Sequence, residues 1–459
     1  MKVLLIRPNA PNTLSFIKIL DNEPLELEYL HTGLMQAGIE DYIYDGLVEK
    51  VTVKETILRE KPDVVAITGY ITQEILMHTY ASISKKVNPN IITIVGGVHA
   101  QINYQRFYHR DIDYICRSES IRVFVDLVQL IDNERANAGT RQNKLKDING
   151  LCYKSQNEPI EYVVNPLISM NINDLPIPDR QFFYEHKKEY RYLDLSEVAT
   201  IKTSFSCPFS CNFCYCTQLN GGKYQERDLA LVIEELKGID CTNIQIVDDD
   251  FLVNTDRLKE FIRLVKEQDI HKTYICYARA DFVAKNETIV KELSDIGFKY
   301  FLVGLEAVTD TELKGYNKGT TMDHNKECVR VISSTSAECI GLMIAPLDAT
   351  KQYFEALYQW VVETKLNYVT VSIFTPIPGT ALYEEYKDKI TSTDITDWDF
   401  LHLVLEPTHL SRKEFYKGYY KLFMRLYRIA KKTGIYDFMD LEFYKNMLAS
   451  YLNRKIQGI

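Results

Sequence analysis

The chain has no stretch approaching eighteen uncharged apolar residues, so no integral membrane segment is expected. Its opening MKVLLIRPNAPN sets one basic residue before only four apolar ones, too few for the core of a secretion signal, which predicts a cytoplasmic protein. Positive charge is not in excess: 54 Lys and Arg against 63 Asp and Glu leave a formal net charge of −9. Nonspecific binding to nucleic acid relies on clustered Lys and Arg neutralising phosphates, so it is not expected here. Small-molecule chemistry becomes the default. Also missing is a second, separated pair of thiols, the usual way a structural zinc closes its tetrahedron. The ten cysteines do not suit a disulfide set, because such frameworks belong to small secreted chains.

With 459 residues, 46% hydrophobic and 25% charged, the chain can bury real cores and is too long for one typical domain. Strand-like and helix-like segments alternate over the first 125 residues: VLLIRPN, LEYLHTGLMQAG, DYIYDG, DVVAITGY and NIITIVGGVHA. That rhythm predicts a doubly wound α/β sheet over 1–132. Its loops, carrying Asn9, Asp45, Gly69, Tyr70, Thr72, Gly96, Gly97 and His99, line the carboxyl edge, where open α/β sheets bind ligands. Residues 133–195 read as a connector, with a polar run, a short strand pair at LCYKS and IEYVV, and NDLPIPDR.

The alternation resumes over 196–380 with six strands, at TIKTSF, NIQIVD, TYICYA, YFLVGL, ECIGLMIA and YVTVSIF. Six βα repeats predict a partial TIM-like (βα)6 barrel with its chemistry at the carboxyl ends of the strands. Residues 381–459 are helical and aromatic and read as a C-terminal cap over the barrel mouth. Its basic helix is expected to pack one face and solvate the other, with a membrane surface as the alternative.

The segment SFSCPFSCNFCYC, directly after the first barrel strand, holds four cysteines. Cys207, Cys211 and Cys214 suit a structural zinc poorly, since only three are suitably grouped. An iron–sulfur cube held by three thiolates would keep one iron open for a ligand. The spacing C-x3-C-x2-C after the first strand of a βα barrel, with Phe213 before the last Cys, resembles the radical S-adenosylmethionine (SAM) superfamily. The stretches VDDDF at 247–251, YARAD at 277–281, VGLEAVTD at 303–310, NKGTT, and TPIPGTALYE at 375–384 are similar to the subfamily with an N-terminal cobalamin-binding, Rossmann-like domain. IVGGVHA and NDLPIPDR extend the resemblance over most of the chain. CRSES at 116–120 departs from it, standing where a glycine–glutamate turn is usual.

The resemblance implies three cofactors: a [4Fe–4S] cluster on Cys207, Cys211 and Cys214, SAM, and cobalamin. It puts Asp249 and Asp250 near the SAM amino group, Arg279 near SAM, and Glu306 near the ribose. Cobalamin would lie on the amino-terminal edge at Asp45, Gly69, Tyr70, Thr72, Gly96, Gly97 and His99. The histidine-ligating motif D-x-H-x-x-G is absent, so His99 is read as a loop contact or helix-start residue rather than a cobalt ligand. Asp248, Asp249 and Asp250 are not expected to converge, since successive strand residues alternate in direction. Glu306 could equally pair with Arg279, and Cys216 is a candidate thiol of the substrate site.

The implied activity is methylation of an unactivated carbon of a small-molecule substrate through a 5′-deoxyadenosyl radical. A reductase or flavodoxin-type protein would donate the electron. The alternatives are a radical cyclisation, rearrangement or aminocarboxypropyl transfer with the same cofactors, and a corrinoid carrier or sensor without catalysis.

Overall fold

The computed structural model describes residues 1–9, 20–118, 120–134, 143–155 and 161–437. The polar run of the connector at 135–142 and the end of the C-terminal region beyond 437 lie outside the described residues. The chain divides into two compact units. One comprises 1–11, 23–189 and 215–227; the other comprises 12–22, 190–214 and 228–459.

In the first unit, strands β1 (Lys2–Arg7), β2 (Glu40–Asp45), β3 (Val64–Thr68), β4 (Ile92–Gly96), β5 (Tyr114–Cys116), β6 (Leu151–Lys154) and β7 (Tyr162–Val164) form one sheet in the order β2-β1-β3-β4-β5-β6-β7. The first five are parallel, and β6 and β7 join antiparallel. In β1, Val3, Leu4, Leu5 and Ile6 are all fully buried. Alternate residues of a strand face opposite ways, so an unbroken apolar run requires cover on both faces. Val3 and Leu5 pack with Leu27, Leu34, Phe124 and Leu127 of the helices Leu25–Gln36 and Ile121–Asn133. Leu4 and Ile6 pack with Val53, Ile57, Met77 and Ala81 of the helices Val53–Glu60 and Glu74–Val87. The order 2-1-3-4-5 puts the topological switch point between the carboxyl ends of β1 and β3, at Pro8 and Asn9 beside Gly69 and Tyr70.

The strand pair assigned to the connector belongs to this sheet instead. Cys152 pairs with Ile115 and with Val164, so β6 and β7 complete the sheet beyond residue 132. Sequence periodicity cannot distinguish a short hairpin in a linker from one that extends a distant sheet, because both read as two short strands.

In the second unit, β8 (Val198–Ile201), β9 (Asn243–Ile246), β10 (Thr273–Arg279), β11 (Phe298–Glu306), β12 (Glu338–Ala345) and β13 (Tyr368–Ile373) form a six-stranded parallel sheet in sequence order. The strands match the six expected ones. This sheet is open beyond β13, and an uncovered edge would present unpaired backbone groups. The helix Arg412–Lys431 runs along that edge, and the Tyr419 hydroxyl donates to the Val371 carbonyl at 2.6 Å. Near its end, Ala430 joins Val198, Ile275, Tyr300 and Tyr368. The helix therefore runs along the flank to the amino-terminal side of the sheet, while earlier residues of the C-terminal region lie at its carboxyl side, the Leu382 N–H donating to the Asn212 carbonyl of the cysteine loop at 3.1 Å and the Ile373 N–H to the Phe400 carbonyl at 2.7 Å. Phe415, Leu422 and Leu426 are buried, whereas Lys413, Lys417, Lys421 and Arg428 are exposed. No helix among the described residues is long and apolar enough to cross a membrane.

Candidate functional site

The loop after β8 carries the three cysteines, and its start is held by Asp248. That carboxylate is 1% exposed; it accepts from the Thr203 amide at 2.6 Å, the Thr203 hydroxyl at 2.5 Å and the Ser204 amide at 3.0 Å. Burial nevertheless pushes the Asp248 carboxyl above its usual range. Ser206 then takes φ of 63°, an uncommon conformation for a residue with a side chain, immediately before Cys207. Downstream, the Asn317 amide donates to the Ser210 carbonyl at 2.7 Å. Asn212 receives the same kind of support, its backbone N–H donating to the Tyr316 carbonyl at 3.2 Å and its side chain to the Gly315 carbonyl at 2.8 Å. Gly315, Tyr316 and Asn317, the last of them opening NKGTT, thus fix the loop around Cys211.

All three thiols are partly accessible. Burial pushes the Cys207 thiol up to about 12, and Asp250, Cys214 and Asp249 add to the effect. Burial also raises Cys211, while Lys318 and Arg279 oppose the rise. Arg279, 6% exposed, lies with Nη1 3.7 Å from the Cys211 sulfur and its guanidinium carbon 3.8 Å from the centre of the Phe209 ring. Its Nε donates to Asp281 at 3.0 Å and its Nη2 to the Lys318 carbonyl. The two cations partly offset that burial, which works towards the thiolate, the form that ligates iron.

Glu306 closes β11 at a register shift with φ of 63°. Its Oε1 accepts from the Lys318 ammonium at 2.7 Å, both residues being more than nine-tenths buried. The expected alternative partner, Arg279, is instead taken by Asp281. Burial lowers the Lys318 pKa, but Glu306 and then Cys211 overcome it and hold the amine above its ordinary value. Gly304 makes room for this pair: a Cβ there would fall on Glu306 Oε1 and Lys318 Nζ. Phe213 packs edge-on against Tyr316 at 5.5 Å.

The three consecutive aspartates do diverge, but not as strand residues, because β9 ends at Ile246. Asp249 Oδ2 and Asp250 Oδ2 are buried without a hydrogen-bond partner. Burial pushes the Asp250 carboxyl up to about 8, against the pull of Arg279. Two orphaned acceptors, three thiols and two cations at the carboxyl ends of parallel strands fit a thiolate-held cluster with a ligand that brings hydrogen-bond donors. Among the described residues no three His, Cys, Asp or Glu side chains are grouped around a point as ligands of a single ion would be; corners of a cube need not converge in that way.

In the first unit, the glycines of the carboxyl edge answer to each other. Gly97 has φ of 87°, and a Cβ there would fall on the Thr68 hydroxyl; a Cβ at Gly69 would meet Met77 and Gln73. The Tyr70 side chain is exposed and Thr72 half-buried. Asp45 and His99 are both committed within the protein. Arg7 Nε and Nη2 donate to Asp45 at 3.1 and 2.6 Å. His99 Nε2 lies 2.6 Å from Glu74, which also accepts two bonds from Arg106. Cys216 opens the turn Cys216–Gly222, in the segment grouped with the first unit, whereas the three motif cysteines belong to the second.

Sequence reasoning missed Lys318, Asp281, Phe209 and the anchoring role of Asp248. All four lie inside segments quoted above, Phe209 between Cys207 and Cys211; for the charged ones the available signal is the buried charge itself, because an acid at the end of an apolar strand requires a counter-charge nearby.

A Radical SAM superfamily model matches residues 201–361, and a B12 binding domain model matches residues 20–128. The hopanoid C-3 methylase of Methylococcus capsulatus is 26% identical over 93% of this chain and 80% of its own length. The anaerobic magnesium-protoporphyrin IX monomethyl ester cyclase of Cereibacter sphaeroides is 25% identical over 88% and 67%. Among solved structures, the radical SAM methyltransferase TsrM from Kitasatospora setae, with cobalamin and a [4Fe–4S] cluster bound, superposes with a TM-score of 0.68 at 16% identity, over 93% of this chain and 90% of that one. The cobalamin-dependent radical SAM enzyme OxsB superposes at 0.65 and 19% identity over 88% of this chain, which spans only 57% of OxsB. With a B12 binding domain followed by a radical SAM barrel whose cysteine loop closes the site, the chain belongs to the cobalamin-dependent radical SAM enzymes, which work with a [4Fe–4S] cluster, SAM and cobalamin.

Proposed function

We propose that the chain methylates an unactivated carbon of a small, largely apolar molecule. The observation that carries this reading is the barrel-end arrangement of three thiols, the Arg279 and Lys318 cations and the two unpartnered aspartate oxygens, in a chain that also has a B12 binding domain. When bound, the cofactors supply the radical and the methyl group, and the protein supplies geometry and electrostatics. Cys207, Cys211 and Cys214 hold the cluster. Asp249 and Asp250 accept hydrogen bonds from the SAM ammonium, and Phe213 packs behind the last thiolate. Glu306, fixed by Lys318, presents its carboxylate to the ribose hydroxyls, while Arg279 offsets negative charge at Cys211. Gly69, Tyr70, Thr72, Gly96 and Gly97 border the corrinoid, and Asp45 and His99 support those loops from within. The division into a cobalamin domain extending to about residue 189, a barrel from 196 and a helical end follows from the same reading, as do an external electron donor and a cytoplasmic setting.

The names of the relatives support an apolar polycyclic substrate: one is a hopanoid methylase and another acts on a magnesium porphyrin. The cyclase also keeps a second reading in view, ring formation with the same cofactors. Product analysis decides between them. Reconstituted protein, reductant and SAM are incubated with candidate extracts and the SAM products are identified by mass spectrometry. Methyl transfer yields S-adenosylhomocysteine together with 5′-deoxyadenosine, whereas 5′-deoxyadenosine alone would replace methylation with cyclisation or rearrangement. Methylthioadenosine would indicate aminocarboxypropyl transfer.

A further inference from the structure

The carboxyl edge of the first unit holds a cavity that no cofactor residue named above lines. It lies between the short helix Val98–Ile102, which follows Gly97, and the residues after β5; Gln101, Ile102, Arg117, Ser118, Leu167 and Ile168 are among those lining it. Its volume is about 170 Å³. Pockets that engulf a whole ligand run to roughly 300–1,000 Å³, so this one suits a single arm of a larger molecule.

Arg117 is the unusual residue. Its Nε is buried without a hydrogen-bond partner. The guanidinium carbon sits 3.9 Å from the centre of the Tyr104 ring, and the group also interacts with the Cys152 thiol. The Arg117 backbone N–H donates to the Gly150 carbonyl at 2.7 Å, which fixes where the side chain starts. A buried donor with nothing to donate to is unfavourable, so an acceptor from a ligand is the natural complement. Arg117 stands in CRSES, the segment that departs from the glycine–glutamate turn.

We propose that this cavity receives one carboxamide arm of the corrin ring, with Arg117 Nε donating to the amide oxygen and Gln101 available to the amide NH₂. Two observations favour an amide over a phosphate. The other polar residues named, Gln101 and Ser118, are neutral. Leu167 and Ile168, 37% and 57% exposed, give the cavity an apolar rim suited to a ring edge rather than to an anion.

The proposal rests on cobalamin binding, and the test separates the two. Full-length protein is titrated with hydroxocobalamin and with cobinamide, which keeps the ring amides but lacks the nucleotide tail, and binding is followed by corrin absorbance. Arg117→Met should weaken both corrinoids by about tenfold, the loss of roughly one well-made hydrogen bond. Gln101→Leu should shift both in the same direction, and it carries the test if Arg117→Met does not fold. Wild-type affinity for both corrinoids in the folded variants overturns the proposal. A loss confined to hydroxocobalamin also overturns it, because the acceptor would then be on the tail. A wild-type chain that binds neither corrinoid refutes cobalamin binding itself.

Discussion

Replacing Glu306 by Gln has two consequences that must be separated, because its carboxylate is half of a buried ion pair with Lys318 at 2.7 Å, the two residues being 8% and 7% exposed. Removing one partner of such a pair leaves an uncompensated buried charge, which costs about 3–5 kcal/mol. That is a large share of the roughly 5–15 kcal/mol that holds a typical domain. Glu306→Gln and Lys318→Met should therefore each destabilise the barrel by that amount. The double variant should recover most of the loss, since Met replaces the Lys stem and neither charge remains. The double variant then isolates ligand binding. If Glu306 accepts charge-assisted bonds from SAM, each worth roughly 1.5–3 kcal/mol, the folded double variant should keep its full iron content while SAM affinity falls by about tenfold or more. Urea unfolding of the four proteins gives the coupling, and calorimetric titration of reconstituted protein gives the affinity. Single variants that each lose less than about 1 kcal/mol would show that the pair behaves as a surface ion pair and that the burial argument is wrong. Wild-type SAM affinity in the double variant would remove Glu306 from the ribose site.

Cys211→Ala should leave about four fewer irons per chain after anaerobic reconstitution, while Cys216→Ala should keep them all; retention of iron in Cys211→Ala would contradict the cluster assignment. Glu74 is held down to about 2, because the bonds from His99 and Arg106 overcome its burial. Its folded pKa lies below the ordinary 4.5, so its stabilising contribution is complete above about pH 4.5 and disappears as the pH falls towards 2. Glu74→Gln should accordingly lower stability at pH 7 by on the order of 3 kcal/mol, and the gap to wild type should narrow between pH 5 and 3 in denaturant melts. Gly97→Ala places a Cβ on the Thr68 hydroxyl at a backbone angle that L-residues avoid, and should lower the melting temperature measurably with the cluster unaffected. His99→Ala should weaken the first unit but leave corrinoid binding intact; lost binding in a folded His99→Ala protein would restore His99 to the corrinoid site.

How far the sequence could be read depended on whether a feature was local. Each barrel strand is a short apolar run between helical stretches, and all six were legible, as were the cysteines, since spacing along the chain is itself a local property. The hairpin at 151–154 and 162–164 was equally visible as two strands, but its partner β5 is joined through a pairing that periodicity does not encode. The helix Arg412–Lys431 was visible too, though not its place along β13, because an amphipathic pattern states that a face is buried and not against what. The charged residues of the site show the same limit more sharply. Glu306, Arg279 and Lys318 all lie in recognisable segments, yet the pairing Glu306 with Lys318 and Arg279 with Asp281, rather than Glu306 with Arg279, depends on the left-handed turn of Glu306 and on the space left by Gly304. A glycine two residues before a strand-end acid is the one trace of that choice in the sequence. Its meaning emerges only when the buried ammonium that needs the space is known.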